Sequence, residues 1–481
     1  MMGDLLHTQT IETLSRAFPH AVLRPGEPQY EEENRRFWNQ DNADVRPAGI
    51  VAPGNADETA KILQVLSDTK TPFAIRSGGY MPVPGFNTSP SILISLSRLT
   101  YVSLLPSPSQ DGETPLVKFG AGNTWGRIYD ALSPHGLVVP GARSRPIGVG
   151  GFLLYGGVSH FYASVGWACE AVTEFEVALA SGIVVTANAT QNADLFWALK
   201  GGGANFGVVT SFTMRTRKLK KLWGGVRVAV GTQLTALQVF TALHEGIQGD
   251  VDEKAHVEVI TFYTPEMCGS GDALFVLSLA YAAEVENPVA LKGFLDIEAV
   301  SDGTRMTTQR DLAGDDKVNV GYDKRGLFRA FSYRGGGELT LDIYTTYYAL
   351  VKASGLFDAD PSAMAALLWL PAGRNLAAGT GVMALGEEAE PYLSCSICMR
   401  WSDPSASARI HAIADSIAEK LKKKLRDAGA FVTFTYGNIA GVQDQTFSGL
   451  PEKTRRRLSD VARNYDPEGV FQTQVPGFKL A

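Results

Sequence analysis

PFAIRSGGYMPVPGFNTSPSILISLSRL, Pro72 to Leu99, is the stretch whose reading decides the fold. Ala74 and Ile75 end a short apolar run, Ser77, Gly78 and Gly79 open a turn that no side chain obstructs, and Ile92 to Leu96 resume as a strand. Two glycines after a strand let backbone N–H groups converge on an anion, so phosphate can be held without Lys or Arg. Alone, the pair is equally what a tight turn uses. Two more glycine-rich stretches tip the balance: RPIGVGGFLLYGGVSHFYASVGWACEAV (Arg145 to Val172) and DLFWALKGGGANFGVVTSF (Asp194 to Phe212). Three such loops in one half of the chain imply a long, phosphate-bearing ligand.

RSGG between two strands, GVGG followed by GG-V-S, and above all DLFWALKGGGANFGVVTSF together resemble the FAD-binding domain of the vanillyl-alcohol oxidase superfamily, specifically the berberine-bridge-enzyme-like oxidoreductases. The tail NYDPEGVFQTQVPGFKL (Asn464 to Leu480) resembles the same family's C-terminus, and the RSGGY and NYDPEGVFQT stretches look like its fungal branch, where specialised-metabolite biosynthesis is common. The resemblance implies an α+β fold. A PCMH-type, two-subdomain FAD-binding domain would cover 1–215. A substrate domain, an antiparallel sheet covered by helices on one side, would cover 216–430, and 431–481 would return to complete the FAD domain. The implied cofactor positions are Arg76, Ser77, Gly78, Gly79 and Tyr80 in the first turn and Ser144, Ile147, Gly148, Gly150, Gly151 and Gly157 in the second stretch. Gly207, Val208 and Val209, on a strand against the adenine end, complete the set.

Length and composition agree with that outline. At 481 residues the chain exceeds one hydrophobic core and suits two domains. A net charge of −6, with 45% hydrophobic and 20% charged residues, describes a globular protein and excludes a basic nucleic-acid binder. KLKK (Lys218 to Lys221) and KLKKKLR (Lys420 to Arg426) are short runs, read as a strand edge and a solvated helix face. Asp4, Glu12 and Arg16 interrupt the N-terminus, so no signal-length apolar core and no membrane span is expected, and a cytoplasmic location follows as the expectation. The 4 cysteines do not make a disulfide framework in a chain of this size. Cys395 and Cys398 form a C-x-x-C, but in YLSCSICMRW they alternate as on a half-buried strand, where residues three apart face opposite ways and cannot share a metal.

In chain order, GIVAP (Gly49 to Pro53) reads as a strand and ADETAKILQVLSD as an amphipathic helix, completing an α/β unit with the Ser77 turn at its carboxyl edge. LVKFGAG, two strands within EAVTEFEVALASGIVVTAN and NFGVVTSFTMRT follow, with ADLFWALK a short helix packing Leu195, Phe196, Trp197 and Leu199 inward. From about 216 the pattern turns to alternation. HVEVITFY, ALFVLSLAYAA, ELTLDIYTTYYALV (Glu338 to Val351) and SCSICMRW read as strands, and Pro361 to Leu370 and Ala406 to Lys424 as helices.

The family often attaches FAD covalently through a His directly after RSGG, and some members add a Cys before GVGG. Here those positions hold Tyr80 and Ser144, neither of which forms the usual bond, so the resemblance implies non-covalent FAD. The family's Y-x-N-Y segment stands as Tyr436-Gly437-Asn438-Ile439. Oxidation by hydride loss needs a base, for which Tyr436 is the candidate, with Asn438 a flavin or substrate contact. A free Tyr titrates near 10, so a base there needs a hydrogen-bonding or charged neighbour that the sequence does not name; a packed aromatic with a satisfied hydroxyl is the competing reading. His160 is a second candidate. Ile147 takes the family's oxygen-gate position, between the smaller Val and the bulkier Leu. The expected activity is oxidation of an alcohol or specialised metabolite, with O₂ as a possible acceptor and no nucleic-acid or membrane partner. A non-redox cyclase or isomerase using the same pocket is the alternative.

Overall fold

The computed structural model describes residues 2–106, 114–248, 252–269, 271–314, 323–378 and 381–480. The chain forms two compact units, each discontinuous.

The first unit contains Met1–Gly157, Trp167–Lys218 and Pro451–Ala481. Its smaller sheet runs Val22–Leu23, Gly49–Val51, Ile92–Ser95, Phe73–Arg76, with the last three strands parallel. The Ala56–Asp68 helix connects two of them; Asn55 caps it by accepting the Glu58 N–H, and Asp57 and Glu58 lie at its positive end. Ile92, Leu93 and Ile94 are wholly buried, as a near-continuous apolar run between parallel neighbours should be. The larger sheet is antiparallel, in the order Val102–Leu105, Leu116–Gly120, Val208–Arg215, Val172–Ala178, Val184–Asn188. The C-terminal Glu452–Tyr465 helix belongs to this unit, and the Tyr465 hydroxyl donates to Asp194 at 2.8 Å. Leu195 and Leu199 of the Ala193–Leu199 helix are buried, but Phe196 and Trp197 are only half-buried, under the cations of Lys200 and Arg457.

The second unit contains Val158–Gly166 and Leu219–Leu450. Phe431–Leu450 therefore sit here, because Phe431–Val432 pairs with Ser332–Tyr333, whereas the sequence reading gave 431–481 to the first unit. Its antiparallel sheet is ordered Ser301–Asp302, Leu222–Val230, Leu274–Tyr281, Ala255–Tyr263, Met364–Ala372, Tyr392–Trp401, Arg325–Tyr333, Phe431–Val432, with Arg305–Thr307 also on Leu222–Val230. Three helices, Gln233–Gln248, Gly337–Ala353 and Ser407–Asp427, cover one face. Phe240, Tyr347 and Leu421 of those helices meet Val259, Trp369 and Cys395 of the sheet in one core, each large side chain contributing roughly 1.5–3 kcal/mol by burial.

Two elements differ from the sequence reading. Glu338 to Val351 lies in a helix, not a strand: the buried residues Thr340, Ile343, Tyr344, Tyr347, Tyr348 and Val351 recur at three- and four-residue spacing. Pro361 to Leu370 is no helix, and Met364–Ala372 is a strand paired on both sides. Cys395 joins the helix-covered core and Cys398 packs against the opposite cluster, as the alternation requires. Burial raises both thiols, Cys398 to about 12. Among the described residues no helix is long and apolar enough to cross a membrane, and no cluster of His, Cys, Asp and Glu could hold a metal.

Candidate cofactor cradle and candidate base

In the first unit, the Phe73–Arg76 strand delivers the Ser77-Gly78-Gly79 turn against the loop at Gly148. A Cβ on Gly78 would fall 2.4 Å from the Gly148 Cα, and one on Gly148 would fall 2.5 Å from the Gly78 Cα. Two backbones touch here, so neither position accepts a side chain. Gly79 has φ +69°, and its Cβ would also strike the Arg36 carbonyl at 2.3 Å. The Ser77 hydroxyl donates to the Ala121 carbonyl at 2.6 Å and accepts the Gly150 N–H at 3.2 Å, tying the two glycine-rich loops together.

Arg76, expected as a cofactor contact, has its guanidinium engaged below the turn. It donates to the Glu33 carbonyl at 2.8 Å, to the Glu33 carboxylate and to Ser95 Oγ at 3.1 Å, and it lies 4.5 Å over the Phe37 ring. Burial pulls Arg76 down to about 10, with Glu33 opposing. Burial would raise Glu33, but Arg76 and Ser95 outweigh it and hold the carboxyl below its usual 4.5. A depressed carboxylate stabilises the fold fully above its unfolded value and loses that contribution as pH falls through the folded one. Glu33→Gln should therefore lower stability by about 2 kcal/mol at pH 7 and flatten the acid limb. Urea denaturation at pH 7 and pH 4 measures both; equal stabilities of wild type and variant at pH 7 would remove this pair as the anchor.

Tyr80 is half-buried with its ring 5.2 Å from that of Trp38. Ser144 is 1% exposed, and its hydroxyl has no hydrogen-bond partner among the described residues. Ile147 is half-buried and its carbonyl accepts the Trp125 N–H at 2.9 Å. Gly151 is exposed, and a Cβ there would meet no protein atom within 4 Å. The Gly157 carbonyl accepts the Ala168 N–H at 2.8 Å. Gly207 packs against Val177, and Val208 and Val209 pair with Ala178 and Val177 at the start of their strand. Cys169, in the same unit, is wholly buried with its thiol raised by that burial, a packing cysteine and not a nucleophile.

These residues fit a dinucleotide. The cradle is bare backbone at Gly78 and Gly148, Gly151 opens outward, and the buried hydroxyls of Thr88, Ser91 and Ser144 find no partner among the described residues. Thr88 and Ser91 follow the first turn and Ser144 precedes the second loop.

The second unit holds the candidate bases. Tyr436 is 3% exposed, and its hydroxyl oxygen accepts the Val158 N–H at 3.1 Å and the Asn438 Nδ2 at 3.0 Å. Two N–H donors on one phenol oxygen stabilise negative charge there, which is the neighbour the sequence could not name. Asn438 thus acts on Tyr436 itself. His160, two residues beyond Val158, is 3% exposed and meets His256 edge-on at 5.1 Å. Tyr162 meets the same His256 ring at 5.1 Å. The Val158–Gly166 segment therefore brings both candidates into one unit. Val158 went unseen in the sequence because a backbone N–H has no residue signature and lies 278 positions from its partner.

Comparison with known proteins gives concordant results. Residues 47–188 match a family model described as an FAD binding domain. The chain is 30% identical to the FAD-dependent monooxygenase prx3 of Penicillium roqueforti, over 97% of this chain and 92% of that one. It is 30% identical to the FAD-dependent monooxygenase tpcD of Cochliobolus heterostrophus, over 92% and 86%. Among solved structures, 6-hydroxy-D-nicotine oxidase from Arthrobacter nicotinovorans superposes with a TM-score of 0.76 at 18% identity, covering 96% of this chain and 98% of that one. Berberine bridge enzyme in complex with (S)-reticuline gives 0.74 at 15% identity, covering 98% and 99%. At those identities the two structures speak for the fold alone.

Proposed function

This chain belongs to the berberine-bridge-enzyme-like family of FAD-dependent oxidoreductases, and from that premise we propose that it oxidises a small alcohol or oxygenated specialised metabolite with Tyr436 as the base. The observation that carries the reading is the pair of N–H donors, Val158 and Asn438, on the Tyr436 oxygen. FAD, when bound, supplies the acceptor for the hydride that leaves the substrate carbon. As the phenolate, Tyr436 takes the substrate hydroxyl proton while the hydride leaves the substrate carbon, and its two N–H donors stabilise the anionic oxygen before that transfer. Val158 fixes the phenol through a rigid backbone N–H, and Asn438 does so through a side chain two residues away. His160 is the reserve candidate, placed by the same segment.

We assign the cofactor to the first unit and the substrate to the second. FAD would be held by backbone N–H groups of the Ser77-Gly78-Gly79 turn and by the 144–151 loop, without a covalent bond, since Tyr80 and Ser144 replace the attaching His and Cys. Arg76 supports the turn from beneath through Glu33. Ile147 is proposed as the oxygen gate. Its stiff, β-branched side chain keeps bulk close to a backbone pinned by Trp125. Ile147→Val should speed reoxidation of reduced flavin by O₂ and Ile147→Leu should slow it, measured by stopped-flow absorbance; equal rates in all three proteins would remove Ile147 from the gate.

Anaerobic mixing of flavin-loaded protein with fractionated fungal metabolites tests the reaction class. Bleaching of the flavin band by one fraction supports the oxidation. Conversion of a compound without bleaching at any time would replace it with a cyclase or isomerase.

A further inference from the structure

The segment NYDPEGVFQTQVPGFKL, Asn464 to Leu480, lies in the first unit with the three glycine-rich stretches. Asp466 accepts the Val470 N–H at 3.0 Å and the Phe471 N–H at 2.7 Å, which starts the short Val470–Thr473 helix. Lys479 reaches back to that helix, donating to the Phe471 carbonyl at 2.6 Å and to the Val475 carbonyl. The segment is thus closed on itself, and it carries Phe478 inward to 7% exposure.

Phe478 touches each glycine-rich stretch in turn. Its ring meets Phe86 of the first edge-on at 4.8 Å and Tyr155 of the second edge-on at 5.8 Å. Its carbonyl accepts Asn205 Nδ2, from the third, at 3.1 Å. Asn205 is 1% exposed; it also donates to the Gly202 carbonyl at 2.8 Å and accepts Gln472 Nε2 at 3.1 Å, so the segment engages both ends of that amide. Each partner stands two residues before a position assigned to the cofactor cradle: Phe86 before Thr88, Tyr155 before Gly157, Asn205 before Gly207. Gly203 locks the second stretch to the third, because at φ +70° its Cβ would fall 2.7 Å from the Tyr155 ring. The strand that delivers the first turn is held as well. The Phe73 N–H donates to the Gln474 carbonyl at 3.1 Å, and the Phe73 ring lies 6.3 Å from that of Phe471.

Resting on the FAD cradle described above, we propose that Phe478 and Asn205 are positioning residues for the cofactor. Glycine loops present backbone donors but have no side chains with which to interlock, so their mutual spacing comes from a neighbour that touches all three. The 464–480 segment supplies that spacing, and bound FAD in turn holds the segment in place. A ligand and a segment that both favour one arrangement of the loops are coupled, and the coupling acts equally in both directions.

Flavin titration by fluorescence quenching and amide hydrogen exchange, both on the full chain, test the two directions. Phe478→Ala should weaken FAD binding by about tenfold or more, within the roughly 5- to 150-fold of such couplings, and Phe478→Leu, which refills most of the volume, should recover much of the loss. In wild type, saturating FAD should slow exchange across residues 472–479 by a factor of similar size, a readout that needs no variant. Unchanged FAD affinity in Phe478→Ala, even with a lowered melting temperature, would make the segment a structural element alone. Exchange at 472–479 that FAD leaves unaltered would overturn the proposal equally. A wild type that takes up no FAD would overturn the cradle and this proposal together, whereas tight wild-type binding with either of those two results overturns the proposal alone.

Discussion

Tyr436→Phe is expected to lower turnover by at least about a hundredfold, the usual scale for losing a general base. The change removes one oxygen and little volume. That oxygen accepts the Val158 N–H at 3.1 Å and Asn438 Nδ2 at 3.0 Å, so its loss strands two buried donors as well as the base. Stranded donors cost about 1–3 kcal/mol of stability, so a lower melting temperature should accompany the kinetic loss. Flavin content should not change. Asn438→Leu separates the roles, because it removes one donor while keeping the phenol: if Tyr436 is the base, this variant should lose activity with a shifted pH profile. Full activity in Tyr436→Phe would make Tyr436 a packed aromatic, and loss of flavin together with activity would make its role structural.

Gly78→Ala should weaken FAD binding by about a hundredfold, because an overpacking strain near 3 kcal/mol falls on the cofactor turn. A Cβ at Gly78 would lie 2.4 Å from the Gly148 Cα and 2.6 Å from its nitrogen. Backbone, unlike a side-chain tip, has no rotamer by which to yield. The turn and the 148 loop must part, and Ser77, which bridges them through Ala121 and Gly150, moves with them. Gly151→Ala is the matched comparison, since its Cβ meets no protein atom and folding should be unaffected. Flavin titration followed by fluorescence quenching measures both variants. Wild-type affinity in Gly78→Ala would separate the turn from the cofactor.

Much of the first unit was legible because its signals are local. The apolar stripe of ADETAKILQVLSD with Asp57 and Glu58 at its start announces a helix, and Ser77-Gly78-Gly79 announces an unobstructed turn, whose packing against Gly148 only the structure shows. The second unit deceived where local preference and tertiary setting diverge. PSAMAALLWL is rich in helix formers, yet Met364–Ala372 is a strand with neighbours on both sides, where continuous apolar character outweighs propensity. ELTLDIY alternates at its start, but the tyrosines at 344, 347 and 348 carry the helical period that the buried face uses. Pairing across long separations was invisible. Neither Glu33 beneath Arg76 nor Val158 upon Tyr436 leaves a trace in spacing, so the anchoring of the Arg76 guanidinium was not legible.

The central claim is that this family member binds FAD through backbone and burial, with Tyr80 and Ser144 where attachment residues would stand. The visible spectrum of the purified, FAD-reconstituted protein, taken before and after acid precipitation, tests it most directly. The expected result is a yellow protein whose flavin bands pass entirely into the supernatant. Flavin travelling with the precipitated polypeptide would contradict the non-covalent assignment, and a protein that stays colourless after reconstitution would contradict the cradle itself.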